Sequence, residues 1–262
     1  MNPSLLIVVP TLNSHLLLPR LLRSLQAQTW EYWRLLFIDG PSCLEHRQWL
    51  VQCCASEPRC RWLEEDPVES GIFGAMNQGF AQAAPTDWLL FWGSDDWAAG
   101  PHVLANSMNV IATASRSLDL LVCRGRYVQA STGLLLRPAF FHSEGLLTAA
   151  SYRRALILGS TPPHQATLIG PSAQRSLACY SHEFRLSADL DYFLQLSRYD
   201  TLTVQCLDIE LVHMGNAGIS GQYTMCRLQE VRHAYSRCFG GIWFLPFIAR
   251  YAQRLISLVR IF

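Results

Sequence analysis

Along the first hundred residues, wholly apolar runs alternate with segments in which apolar residues recur every three or four positions. Ser4 to Val9 is a short run of leucine and β-branched residues ended by Pro10, the pattern of a strand buried on both faces. Leu17, Leu21, Leu22 and Leu25 then share one face of a helix, with Arg20 and Arg23 off it. Trp33 to Ile38 is the next apolar run and stops at Asp39-Gly40-Pro41-Ser42. Leu44 to Ala55 predicts a helix, Arg61 to Glu64 a short strand, Gly71 to Ala83 a helix, and Trp88 to Trp92 a fourth strand. Strand and helix in alternation predict an α/β fold with a parallel sheet and right-handed crossovers.

In such a sheet, ligands bind beyond the carboxyl ends of the strands. Polar residues gather there: Thr11 and Asn13 after the first strand, Asp39 after the second, Glu65, Asp66 and Glu69 after the third, and Ser94, Asp95 and Asp96 after the fourth. Each has a structural alternative, since Thr11 or Asn13 can cap a helix, Asp39-Gly40 can turn, and Asp95-Asp96 can start the next helix. Four at one edge point instead to an acidic crevice. Paired aspartates at a strand end suit a hard divalent cation held by few protein oxygens and shared with a diphosphate. No G-x-G-x-x-G follows the first strand and no G-x-x-x-x-G-K-[ST] occurs, which disfavours a dinucleotide dehydrogenase and a P-loop kinase.

Composition narrows the chemistry further. The chain has 262 residues, half of them apolar, enough for one large domain or two small ones. It contains no lysine, so a Schiff base, a pyridoxal anchor and a P-loop lysine are excluded. A net charge of +1 offers no field for nucleic acid. Nine cysteines without a C-x-x-C pair, and no cationic leader before the first strand, predict reduced thiols in the cytoplasm. Zinc spacing is not visible.

Beyond residue 100 the pattern predicts three helices. The first runs from about Asp189 to Arg198; Asp189 and Asp191, two positions apart, face different directions on it. Both also suit a helix N-terminus for electrostatic reasons alone. The second runs from Gln222 to Phe239. On the third, Ile242 to Phe262, Gln253, Arg254, Ser257 and Arg260 form a polar arc largely opposite Phe247, Ile248, Tyr251, Leu255, Leu258, Val259 and Phe262. That helix can lie on an anionic membrane surface, or cover its own domain or a second copy in a homodimer. No run of about 20 apolar residues exists to build a channel.

The motifs together resemble glycosyltransferase family 2. Val9-Pro10-Thr11-Leu12-Asn13, Phe37-Ile38-Asp39-Gly40, Glu69-Ser70-Gly71-Ile72-Phe73-Gly74-Ala75-Met76-Asn77-Gln78-Gly79 and Gly93-Ser94-Asp95-Asp96 look like its nucleotide-sugar half in order and spacing. Pro163-His164-Gln165-Ala166-Thr167 and Ser187-Ala188-Asp189-Leu190-Asp191-Tyr192 are similar to its acceptor half. The resemblance implies a GT-A fold, a Rossmann-like mostly parallel sheet flanked by helices, with a C-terminal amphipathic helical tail. It implies inverting transfer of one sugar from a nucleoside diphosphate donor with Mn²⁺ or Mg²⁺, onto a saccharide or lipid-linked acceptor in polysaccharide or glycolipid synthesis. Pro10, Thr11, Asn13, Asp39, Glu69, Asn77, Ser94 and Asp95 would bind the nucleotide sugar and Asp96 the metal. Asp189 would be the catalytic base, with His164, Gln165 and Asp191 on the acceptor. Gly74 departs from the family's usual aspartate, and Ala188 from the glutamate many members carry.

The expected organisation is one catalytic domain over 1–221, with 1–100 binding the donor and 101–221 the acceptor, then a helical extension over 222–262. His164 has a second reading as a packed core histidine. His213 and the glycine-rich 215–221 segment read as a turn or as a cover over the donor that supplies a late metal ligand. The expected location is cytoplasmic, on the inner face of the membrane if the last helix docks there. Two rivals stand beside this reading: a degenerate scaffold, suggested by Gly74 and Ala188, and a sugar nucleotidyltransferase, whose glycine-rich phosphate loop Pro10-Thr11-Leu12-Asn13 does not supply.

Overall fold

The computed structural model describes residues 3–129, 132–215 and 224–259. Strands β1 (Leu5–Thr11), β2 (Trp33–Asp39), β3 (Cys60–Glu64) and β4 (Trp88–Phe91) alternate with helices α1 (Leu18–Gln26), α2 (Leu44–Ser56) and α3 (Ile72–Gln82). The strands lie in the order β3-β2-β1-β4 and all their pairings are parallel. The apolar runs of β1, β2 and β4 follow from burial on both sides, whereas the edge strand β3 is largely exposed. Leu5, Ile7 and Val9 of β1 share a core with Leu18, Leu21 and Leu25 of α1 and Leu50 of α2. Leu6 and Val8, pointing the other way, share one with Ala75, Met76 and Phe80 of α3.

Pro10 does not end β1 as its sequence suggests; the strand continues to Thr11, with Pro10 opposite Ile38. The reason is local. Pairing with β4 stops at Val8, so the missing N–H of Pro10 falls where one neighbour has already left.

After β4 come β5 (Trp97–Ala98), α4 (Val103–Thr113), β6 (Leu120–Val128), β7 (Leu135–Ala139), β8 (Gly145–Thr148), α5 (Ala149–Ile157), β9 (Thr167–Ile169), α6 (Pro171–Ser176), α7 (Ala188–Leu196), β10 (Thr203–Gly215), α8 (Thr224–Phe239) and α9 (Phe244–Val259). One ten-stranded sheet, β3-β2-β1-β4-β9-β6-β10-β5 with β7 and β8 at its side, runs through both halves of the chain. Here directions mix: β9 is antiparallel to β4 and β6, while β6 and β10 are parallel. The nine cysteines are free.

The last helix covers its own domain, one of the expected alternatives. Arg250 Nη1 donates to Thr161 Oγ1 at 2.6 Å and Gln253 Nε2 to the Leu158 carbonyl at 2.7 Å, so these two polar residues face the protein. Phe247 and Tyr251 also pack inward, whereas Phe244, Leu245 and Ile248 are exposed. The side chains of 254–259 and all of 260–262, including the expected Arg254, Ser257 and Arg260, lie outside the described residues, as do 216–221 of the glycine-rich segment. Among the described residues no helix is long and apolar enough to cross a membrane.

Candidate active site

Register brings the strand ends together. Thr11 pairs with Asp39, and Asp39 with Glu64, in one row across β1, β2 and β3. Ser94 Oγ donates to the Pro10 carbonyl at 3.1 Å and accepts from Ser14 Oγ at 2.9 Å, tying the β4 end to the β1 end. Asn13 is the one described non-glycine residue with positive φ (51°), a region an asparagine tolerates. Its Oδ1 accepts from the Cys43 N–H at 2.7 Å, and its own N–H donates to Ser42 Oγ at 2.9 Å. Asn13 and Ser94 therefore fasten the rim of the crevice.

Asp39 is 1% exposed. Its Oδ1 accepts from Thr11 Oγ1 at 3.0 Å and Ser42 Oγ at 2.6 Å, and His46 Nε2 lies 3.0 Å from it. Its Oδ2 accepts no hydrogen bond, with Arg47 Nε 3.8 Å away. His46 was not among the expected site residues. Its spacing with Leu50 and Cys53 on the inward face of α2 was the available signal. The Ser14 N–H donates to His46 Nδ1 at 3.1 Å, so the neutral ring carries its proton on Nε2, beside Asp39. Burial lowers the His46 pKa, with the Asp39 charge opposing. Replacing His46 by phenylalanine, which fills similar space without a donor or acceptor, should cost about 1–3 kcal/mol in a urea titration. An unchanged midpoint would show that Asp39 does not depend on the imidazole.

Asp95 and Asp96 follow β4. Asp96 is 3% exposed and its Oδ2 accepts from the Gly93 N–H at 2.6 Å. Burial raises the pKa of both carboxyls, and the Asp95 charge raises that of Asp96 further. The Gly215 N–H, at the end of β10, donates to the Asp95 carbonyl at 3.2 Å. Among the described residues no arginine or histidine forms an ion pair with either aspartate, and no group of three metal-ligating side chains forms. His213 Nε2 lies 2.8 Å from Glu210 Oε1, and its ring is edge-on to Trp97, the residue after Asp96.

Beside the strand ends, the 68–77 segment and the 181–186 segment line a cavity of about 750 Å³ that includes Glu69, Gly74, His182, Arg185 and Cys226. Glu69 faces it half-exposed, with His182 Nε2 3.8 Å away. Gly74 is required there by close approach: a Cβ would fall 1.6 Å from the Glu69 carbonyl oxygen. Asn77 has a structural role beside its expected one. It is buried, its Nδ2 donates to the Tyr180 carbonyl at 3.1 Å, and its Oδ1 accepts from the Tyr180 N–H at 2.7 Å. It clamps the two halves, and it also lines the cavity.

Helix α7 separates its two aspartates as the spacing predicts. Asp189 is partly exposed and its charge acts on His164 and Tyr180. His164 stacks on Phe91 at the end of β4, with ring centroids 5.7 Å apart. The α7 N-terminus therefore meets the same sheet edge as Asp95 and Asp96. Asp191 corrects its expected acceptor role: it is buried, with Oδ2 accepting from Arg237 Nη1 of α8 at 3.0 Å and Oδ1 from Gln195 at 3.1 Å. His164 is likewise the packed core histidine. It is buried, with Nε2 2.7 Å from Tyr180 Oη, and burial lowers its pKa. Gln165 is partly exposed and its carbonyl accepts from Trp92 Nε1 at 2.9 Å.

α8 holds this region in place. Both Glu230 carboxylate oxygens accept backbone N–H groups, Arg185 at 3.0 Å and Leu186 at 2.8 Å, in the loop that leads into α7. Neither Glu230 nor Arg237 was singled out from sequence, because their partners lie more than 40 residues away.

A curled α/β sheet with acidic strand ends on one side and an acidic helix start on the other defines a GT-A glycosyltransferase fold. Residues 6–113 match the family model described as Glycosyl transferase family 2. The chain is 26% identical over 216 residues to a PGL/p-HBAD biosynthesis glycosyltransferase of Mycobacterium tuberculosis, covering 82% of this chain and 78% of the relative. Among solved structures it is similar to residues 1–349 of S. aureus TarS in complex with UDP-GlcNAc (TM-score 0.68, 16% identity, 92% and 69% of the two chains). It spans only 39% of a longer TarS chain. It is also similar to glucosyl-3-phosphoglycerate synthase from M. tuberculosis in complex with Mn²⁺, UDP and phosphoglyceric acid (TM-score 0.61, 16% identity, 90% and 80%).

Proposed function

We propose that this transferase moves one sugar, with inversion, from a nucleoside diphosphate sugar to an acceptor hydroxyl in the assembly of a polysaccharide or glycolipid, and that it requires Mn²⁺ or Mg²⁺. One observation carries the reading. Asp95 and Asp96 stand side by side, largely withdrawn from water, with no compensating cation among the described residues. Uncompensated buried charge costs several kcal/mol per ion, roughly. A divalent cation shared with a diphosphate removes that conflict. Two carboxylates without a third protein ligand suit an ion that keeps water and phosphate oxygens about it.

Asp96, with Asp95 beside it, would hold the metal, which when bound stabilises the charge on the departing diphosphate. The unsatisfied Oδ2 of Asp39 would accept an N–H or O–H from the base or ribose, with Thr11 and Ser42 fixing its orientation through Oδ1. Glu69 would line the donor side of the cavity. Asp189 takes the proton of the acceptor hydroxyl as that oxygen attacks the anomeric carbon, and the bond to the diphosphate oxygen breaks on the opposite face. The UDP and Mn²⁺ in the synthase structure, and UDP-GlcNAc in the TarS structure, support this donor class. The mycobacterial relative's role in PGL/p-HBAD biosynthesis supports a saccharide or lipid-linked acceptor. A cytoplasmic location belongs to the same reading, in keeping with nine free thiols.

Thermal-shift screening of nucleoside diphosphates with and without Mn²⁺ tests it. One nucleotide should raise the melting temperature only with the metal, by an increment equivalent to about 2.7 kcal/mol at 100 times its dissociation constant. The increment should vanish in Asp96→Asn. No shift with any nucleotide and either metal, or an undiminished shift in that variant, would overturn the donor assignment.

A further inference from the structure

A helix on the surface of a domain ordinarily turns its apolar face inward and its polar face out. α9 departs from this over its described side chains: Phe247 and Tyr251 pack inward, yet Arg250 and Gln253 turn inward beside them and three large apolar side chains face out. Its backbone lies against Gly159, whose φ is +88° and where a Cβ would fall 2.3 Å from the Arg250 nitrogen. Arg250 and Gln253 bond to the turn that follows α5. Facing solvent are Phe244 (44% exposed), Leu245 (49%) and Ile248 (61%), which lie within one arc of about 100°. Exposed Ile242 precedes them, and exposed Leu158 adjoins from the end of α5. Large apolar residues gathered this way mark a contact surface.

Charge identifies the occupant. The sequence from Gly240 to Phe262 has no carboxylate, and neither does α5. The single carboxylate of α8, Glu230, is bound to the backbone of residues 185 and 186. Arginines crowd the base of α9: the Arg232 guanidinium sits 5.0 Å over the Trp243 ring, that of Arg153 5.0 Å over Phe239, and Arg154 is exposed on α5. Apolar side chains bordered by cations match the boundary between anionic headgroups and acyl chains. A second copy related by a two-fold axis would bring these arginines against their own kind.

We propose that the outward face of α9 docks the protein on an anionic lipid surface, with Phe244, Leu245 and Ile248 entering the headgroup region and Arg154 and Arg232 meeting lipid phosphates. The test is flotation of the full chain with vesicles of phosphatidylcholine, alone or mixed with phosphatidylglycerol. The wild type should float with the mixed vesicles, and less as salt rises. A triple variant, Phe244→Ser, Leu245→Ser, Ile248→Ser, should lose about tenfold or more in partition while keeping its melting temperature. Ile248→Ser alone and the pair Arg154→Gln, Arg232→Gln should each lower partition, so the test survives poor folding of the triple variant. Absence of wild-type flotation, or equal flotation of the variants, overturns the proposal. So does a concentration-dependent dimer in sedimentation velocity that the triple variant abolishes, since the face would then belong to a second copy. Donor binding by thermal shift is read separately and should be unaltered in these variants, so failure here is distinct from failure of the transferase reading.

Discussion

Replacing Asp189 by asparagine should lower kcat by about 10²–10⁴, the range for losing a positioned proton acceptor, with donor affinity and melting temperature near wild type. The reason for so clean an effect is position. Asp189 is partly exposed at the first turn of α7, and among the described residues no ion pair or hydrogen bond of its side chain holds the fold. Asp191 supplies the control two residues on. Its carboxylate is buried against Arg237 and Gln195, so Asp191→Asn should weaken the packing of α7 on α8 and reduce stability by about 1–3 kcal/mol. The readouts are steady-state kinetics with saturating donor and a urea titration for each variant. Equal kinetic losses in both, or a wild-type rate in Asp189→Asn, would remove Asp189 as the base.

The second large effect is expected at Gly74. Alanine in mid-helix ordinarily stabilises by about 1 kcal/mol over glycine. Here its Cβ would fall 1.6 Å from the Glu69 carbonyl oxygen and 2.5 Å from the carbonyl carbon, both backbone atoms that cannot rotate away. Gly74→Ala should therefore displace the segment that carries Glu69, costing about 1–3 kcal/mol net and raising the donor KM. Gly74→Asp, which restores the residue usual in the resembling family, should be worse, because it adds a carboxylate to the same collision. Urea midpoints and donor KM values check both. A wild-type midpoint and KM for Gly74→Ala would mean that this segment yields without consequence.

Gly74 also shows where sequence reading succeeds and where it stops. The alternation of parallel strands and helices was legible because β1 and β4 are apolar runs and β2 nearly so, whereas the 3-2-1-4 order of the strands was not read from sequence. The acidic row from Thr11 to Asp96 followed from strand ends alone, and α7 was placed with its two aspartates facing apart. What stayed hidden depends on contacts between distant residues. The absence of a Cβ at position 74 reads as a missing acid until the Glu69 carbonyl is seen filling the space. Asn77 sits inside a donor motif, and its amide also bonds to the Tyr180 backbone, 103 residues away. β9 contributes three residues between β4 and β6, too few for a periodic signal. Periodicity cannot tell which side of α9 meets protein; Gly159 and Thr161 decide it for Arg250.

The Asn77 clamp and the continuous sheet have a mechanical corollary. Because α3 grips Tyr180 through both its N–H and its carbonyl, and β9 stitches β4 to β6, the two lobes cannot swing apart like jaws. Substrate entry and product exit are left to the segments outside that frame, so selectivity over what enters resides in loop composition, and grafting loops onto this rigid chassis is the direct route to altering it.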